Sequence, residues 1–158
     1  VAHDLNQTAP IGMNSESFDV IHVGELIEHL FSPDLVLREI YRLLKPSGYA
    51  IITTPNLASW RNRLLLLLGW QPFGSEVSTA VRVGNPIAPK GPLAGHIRLF
   101  TLGALRELSR QYGLVVESAG GRSASATNKS VLRPIDKICE LLFPSLCDGL
   151  IIRVRKEG

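Results

Sequence analysis

Two hydrophobic periodicities alternate along the chain, and they predict strands and helices in turn. Phe18-Asp19-Val20-Ile21-His22-Val23-Gly24 is a short, β-branched run that follows a polar loop and stops at glycine. That pattern predicts a parallel strand buried on both faces. Ser32-Pro33-Asp34 then offers a cap, a proline for the first helical position and an acid for the first turn. Val36, Leu37, Ile40, Leu43 and Leu44 follow at helical spacing, and Pro46 and Gly48 end the helix. Tyr49 to Thr54 is a second buried strand, closed by Pro55-Asn56. Strand, helix and strand with short connections form a βαβ unit with a right-handed crossover.

From Leu57 to Ile97 the regularity drops. A helix is predicted from Ser59 to Leu68, followed by a stretch punctuated by Pro72, Pro86, Pro89, Pro92 and glycines from Gly74 to Gly95. A loop this long inside a compact domain points to a functional insertion, so residues 57–97 are expected to form a cap within a single domain over 1–158. Thr101 then caps a helix that carries Leu102, Leu105, Leu108 and Tyr112 on one face, with Gly113 as its stop. Leu114 to Ser118 is a third strand, Val131 to Leu146 a helix broken by Pro134 and Pro144, and Gly149 to Arg155 a final strand. The order is that of an α/β fold.

Composition narrows the class only slightly. Seventeen basic and fourteen acidic residues leave a formal charge of +3, and the cations are scattered except for Arg153-Val154-Arg155-Lys156, so no nucleic-acid footprint stands out. Cys139 and Cys147 match neither a disulfide framework nor a zinc site, and read as buried thiols in a reducing cytoplasm. The greasy run Leu64 to Leu68 is far shorter than the roughly 20 apolar residues that cross a bilayer.

Phe18-Asp19-Val20-Ile21, then Glu25-Leu26-Ile27-Glu28-His29, then Leu43-Leu44-Lys45-Pro46-Ser47-Gly48-Tyr49 and Thr53-Thr54-Pro55-Asn56 resemble, in order and spacing, the second half of class I S-adenosylmethionine-dependent methyltransferases. The resemblance implies a three-layer Rossmann-like fold with a mostly parallel sheet, an antiparallel last strand at Gly149 to Arg155, and N-terminal strands lying before Val1. It implies S-adenosylmethionine as cofactor and a small-molecule methyl acceptor. Ligands of such sheets bind outside the carboxyl ends of the strands, here at Asp4-Leu5, Gly24-Glu25 and Thr54-Pro55-Asn56. By resemblance, Asp4 accepts from the adenine amino group and the Leu5 amide donates to a ring nitrogen. The alternative for Asp4 is that it merely caps a turn. Gly120-Gly121 and Gly12 do not follow a strand and open a helix, so the family's glycine-rich loop is missing from this segment. The segment alone is therefore expected to have little cofactor affinity.

Glu25, Glu28 and His29 stand at i, i+3 and i+4, which puts them on one face if the turn is helical. Two carboxylates and an imidazole suit a divalent cation. Glu-x-x-Glu-His here also resembles metal-assisted O-methyltransferases of ubiquinone biosynthesis and of small-RNA 3′ ends; in the latter a further histidine occupies a place comparable to His96. Without a metal, these residues would bond one another beneath the substrate pocket, with His29 and His96 near the methyl-transfer centre. Trp60 to Trp70 is a candidate apolar lid with Arg61 and Arg63 on its wetter side, and packed core is the alternative. Two other function classes stay open: a non-catalytic binding module on the same fold, and a nicotinamide-dependent oxidoreductase, which would not explain Leu44-Lys45-Pro46-Ser47-Gly48 between two strands.

Overall fold

The structure, a computed structural model, describes residues 3–123 and 131–157. In chain order its elements are β1 (Phe18–Gly24), a 3-10 turn (Ile27–His29), α1 (Pro33–Leu43), β2 (Leu44–Pro55), α2 (Trp60–Leu67), α3 (Leu102–Gln111), β3 (Leu114–Arg122), α4 (Arg133–Leu142), a second 3-10 turn (Pro144–Leu146) and β4 (Gly149–Lys156). The sheet order is β1-β2-β4-β3. β1 and β2 run parallel, and β4 inserts antiparallel between β2 and β3, as expected of the last strand.

Register explains the core. Ala50, Ile52 and Thr54 of β2 lie opposite Val154, Ile152 and Leu150 of β4, and all six are fully buried. Val36, Leu37 and Ile40 of α1 and Leu102 and Leu105 of α3 pack on that same cluster. Each such fully buried Leu or Ile contributes about 1.5–3 kcal/mol. Tyr112, just past α3, donates to Asp34 of α1 at 2.5 Å, so the two helices are also pinned to each other. The alternate positions are different: Arg153 and Arg155 of β4 are exposed and pair with Glu117 of β3.

The strands are thus not buried on both faces, contrary to the sequence expectation. β1 departs furthest, with only Val23 buried and Val20 47% exposed; among the described residues it pairs with β2 alone. Caps also sort themselves. Thr101 accepts from the Ala104 amide and Ser59 from the Asn62 amide, whereas Ser32 makes no cap bond and its hydroxyl donates to Asp34 instead. α1 ends at Leu43 because the following residues turn extended ahead of Pro46, and Lys45 to Gly48 join β2 rather than forming a loop. β3 runs on to Arg122, four residues past its expected end. Pro134 does not break α4 but sits in its first turn, where its missing N–H costs nothing.

Beyond the sheet, α2 and α4 are held to each other by charge. Arg61 of α2 reaches inward to the fully buried Asp136 of α4 at 2.8 Å and also pairs with Asp148, while Trp60 donates to Asp136 at 3.2 Å. The expectation that Arg61 lies on a wet side is corrected: its side chain is 15% exposed, drawn in by the two carboxylates, and only Arg63 is exposed. Cys139 and Cys147 are free and buried, and burial pushes the Cys147 thiol up to about 11. Gly121 is required by close approach, since a Cβ there would lie 2.5 Å from the Cys147 side chain.

Arg61→Leu leaves Asp136 buried without its cation, so it is expected to lower unfolding free energy by about 3–5 kcal/mol in urea denaturation. The double variant Arg61→Leu/Asp136→Leu should recover much of that loss.

Candidate active site

The carboxyl ends of β1 and β2 and the start of β4 meet at one end of the sheet. Glu25 follows β1 in a left-handed conformation, φ 48°, held by its amide donating to the Thr53 carbonyl at 3.0 Å. A non-glycine residue there costs about 1–2 kcal/mol. This bend turns the chain into the single 3-10 turn over Ile27–His29, which separates residues that a full helix would have aligned. Glu25 accordingly leaves the expected cation group: its carboxylate pairs with Arg122 of β3 at 2.7 Å, on the surface. Gly24 is exposed at the end of β1.

Glu28 points into the protein and is fully buried. Its Oε2 accepts from the Thr54 hydroxyl at 2.9 Å, while Oε1 has no hydrogen-bond partner and faces His29 Nε2 at 3.8 Å. The Glu28 carbonyl accepts from the Ile97 and Arg98 amides at 2.9 and 3.2 Å, which draws the segment ahead of α3 against the turn. That brings His96 to His29, ring centroids 4.9 Å apart. One ligand atom each from Glu28, His29 and His96 lie within 4.8 Å of one another.

Both rings are oriented by backbone carbonyls. His29 Nδ1 is 3.0 Å from the Gly95 oxygen, and His96 Nδ1 is 2.9 Å from the Gly74 oxygen. A carbonyl can only accept, so each Nδ1 carries the hydrogen and each neutral ring keeps a lone pair on Nε2. Such carbonyl support on the far nitrogen is the usual second partner of a metal-binding histidine. Gly74 and Gly95 both adopt φ 80°, the left-handed region where glycine carries no Cβ penalty.

Glu76 anchors this loop. Its Oε1 accepts from the Ala94 amide at 2.7 Å, and its Oε2 from the Gly95 and His96 amides at 2.8 and 3.2 Å. Burial opposes its ionisation, but those three amides outweigh burial and hold the carboxyl below its ordinary value of 4.5. Asn56, buried just past β2, donates to the Ser145 and Cys147 carbonyls and accepts from the Ala58 amide, tying the approach to β4 to the start of α2. Glu76 lies twenty residues before the histidine it supports, and no local pattern announced it. Asn56 stands inside the Thr-Thr-Pro-Asn run, and nothing in the sequence says that its side chain works inward.

Asp4 is exposed, and its Oδ1 accepts from the Asn6 amide at 3.0 Å, forming its own turn. Leu5 packs against the core cluster. Asn6 Oδ1 accepts from the Phe31 amide at 2.7 Å, and Arg98 donates to the Phe31 carbonyl, so this loop is tied to the segment after His29. No helix among the described residues is long and apolar enough to cross a membrane.

A family model described as a methyltransferase domain matches residues 2–119, and the chain belongs to that family, the class I S-adenosylmethionine-dependent methyltransferases. Among curated proteins, a ubiquinone biosynthesis O-methyltransferase from Caulobacter vibrioides is 34% identical over 89 residues, covering 48% of this chain and 35% of the relative. A complex of the Haloferax volcanii Trm112 methyltransferase activator with a methyltransferase matches with a TM-score of 0.62 at 12% identity, over 100% of this chain and 61% of that one. A methyltransferase structure from Thermotoga maritima matches with a TM-score of 0.58 at 17% identity, over 99% and 62%. The chain thus spans about a third of the curated relative and three-fifths of these structures. The structural matches carry the fold: a mixed α/β sheet of the methyltransferase Rossmann type.

Because the folded Glu76 carboxyl titrates below 4.5, its stabilisation is fully present above that pH and is lost as pH falls through the lower folded value. Glu76→Gln is expected to cost about 1.5–3 kcal/mol at neutral pH and to flatten the acid limb of the stability profile between those two values. Urea denaturation across pH reads both.

Proposed function

We propose that this chain forms the acceptor side of an S-adenosylmethionine-dependent methyltransferase, and that His29 and His96 face the nucleophile of a small-molecule acceptor. The observation that carries this reading is the pair of imidazoles whose Nδ1 atoms are both committed to glycine carbonyls, leaving two Nε2 lone pairs beside a buried carboxylate. The sulfonium is already activated, so the protein chiefly aligns the acceptor for in-line displacement. As the acceptor atom bonds the methyl carbon, the methyl–sulfur bond breaks and the acceptor's proton passes to an Nε2. The His29 side chain is 35% exposed, which leaves it reachable. Asp4, whose carboxylate keeps lone pairs beyond the bonds it accepts from the Asn6 amide and the Gln7 side chain, and the Leu5 amide are assigned to the adenine, and Gly24 and Glu25 to the cofactor's path along the end of β1. The relative's name supports oxygen as the nucleophile.

A second reading of the same residues is favoured by Glu28 Oε1, a buried carboxylate oxygen without a hydrogen bond. Glu28, His29 and His96 fit a divalent cation, since one carboxylate and two carbonyl-supported imidazoles are ligands that such ions take. A cation there would lower the pKa of an acceptor hydroxyl. Glu25, paired with Arg122, is left out of this set.

In the full-length protein, His29→Ala and His96→Ala are each expected to lower kcat about 10²–10⁴-fold while cofactor Kd, measured by calorimetry, stays within a few fold. Unchanged kcat in both variants would refute the assignment. Titration with Mn²⁺ followed by electron paramagnetic resonance separates the two readings: binding that Glu28→Gln abolishes supports the cation, and no binding with chelator-insensitive turnover leaves the histidines acting alone.

A further inference from the structure

α2 and α4 are turned inside out. An amphipathic helix on a globular protein buries its apolar stripe and shows water its polar one. In α2 the buried positions are Asn62 and Leu65, and in α4 they are Asp136 and Cys139. The outward positions are apolar: Leu64 is 51% exposed, Leu67 82% and Leu68, just past α2, 61%, while Ile138 is 52%, Leu141 81% and Leu142 67%. The inward polar groups are satisfied. Asn62 donates to the Asn56 and Phe73 carbonyls and accepts from the Phe73 amide, and Asp136 accepts from Arg61 and Trp60. The inversion is therefore a settled packing arrangement. The two helices are joined by the bonds from Arg61 and Trp60 to Asp136, and an apolar hollow of about 380 Å³ opens beside α2, with walls that include Trp60, Trp70 and Leu132, the residue before α4. Both tryptophans of the chain stand at it.

An apolar surface of this extent marks an interaction site. Charge decides among its occupants. Exposed Arg63 lies one turn from Leu67, and exposed Lys137 one turn from Leu141. Neither is in an ion pair among the described residues. The acids of the two helices, Asp136 and Glu140, are committed to Arg61 and Arg133. Two-fold pairing of this face with a second copy would set cation against cation with no free carboxylate to answer it. A surface of anionic headgroups over acyl chains answers both features: leucines enter the chain region, Trp70 sits at the boundary, and cations meet the headgroups. With eight and ten residues, the helices lie on such a surface and do not cross it.

We propose that the outer face of α2 and α4 is a docking surface for an anionic lipid bilayer. The test is flotation of the full-length protein with phosphatidylcholine vesicles, with and without phosphatidylglycerol. Binding is expected to the phosphatidylglycerol vesicles and to weaken with salt. Leu67→Glu/Leu141→Glu should reduce it by about a hundred-fold or more, each leucine being worth about 1.5–3 kcal/mol when buried. Arg63→Gln and Lys137→Gln should each reduce it about five-fold, the roughly 1 kcal/mol that one cation contributes at such a surface. All four side chains are exposed, and circular dichroism with thermal melts checks that the variants fold. Absence of flotation with either vesicle overturns the proposal. So does a concentration-dependent dimer in light scattering that the double glutamate variant disperses, which would assign the face to a second copy.

Discussion

The fully buried carboxylate of Glu28 is the constraint on which the site depends. Removing a carboxylate from water is costly unless partners or a counter-charge replace the lost solvation. Thr54, at the end of β2, supplies one partner, and the Glu28 carbonyl holds Ile97 and Arg98 ahead of α3. A single residue thus joins the turn after β1, the end of β2 and the approach to α3. Because that approach is fixed, His96 arrives beside His29, and the second oxygen of Glu28 is left facing the imidazole pair.

Support for the histidines comes from the irregular stretch between α2 and α3. Gly74 and Gly95 turn their carbonyls onto the rings, and Glu76 grips three consecutive amides around Gly95. The loop is held by polar bonds to buried or half-buried groups more than by apolar packing. Arg61 does the same in α2, where two carboxylates and the Trp60 ring surround its guanidinium. Polar anchoring inward is what frees the leucines of α2 to face out.

The βαβ unit, the Thr101 cap and the antiparallel last strand were legible in the sequence, because local periodicity and capping residues specify them. Glu28, His29 and His96 were legible as a group through spacing and resemblance. Glu25 was grouped with them wrongly, since a helical turn was assumed where the chain makes a left-handed bend and a 3-10 turn. Arg61 and Asp136 were misplaced or missed because residues 75 apart create the pair, and a charged residue on a leucine-rich helix reads as solvent-facing until its partner is known. The burial of β1 was less legible for a related reason: a β-branched run with one acid, Asp19, does not reveal what will cover its two faces.

Family membership fixes the fold and the cofactor class, while the acceptor must be argued from the site. The central claim is that two imidazoles present Nε2 lone pairs to one point beside Glu28. Nitrogen-15 NMR of the histidine rings in the full-length protein tests it most directly. In their neutral forms, His29 and His96 are expected to carry hydrogen on Nδ1 with Nε2 unprotonated. A dominant Nε2–H tautomer in either ring would contradict the account.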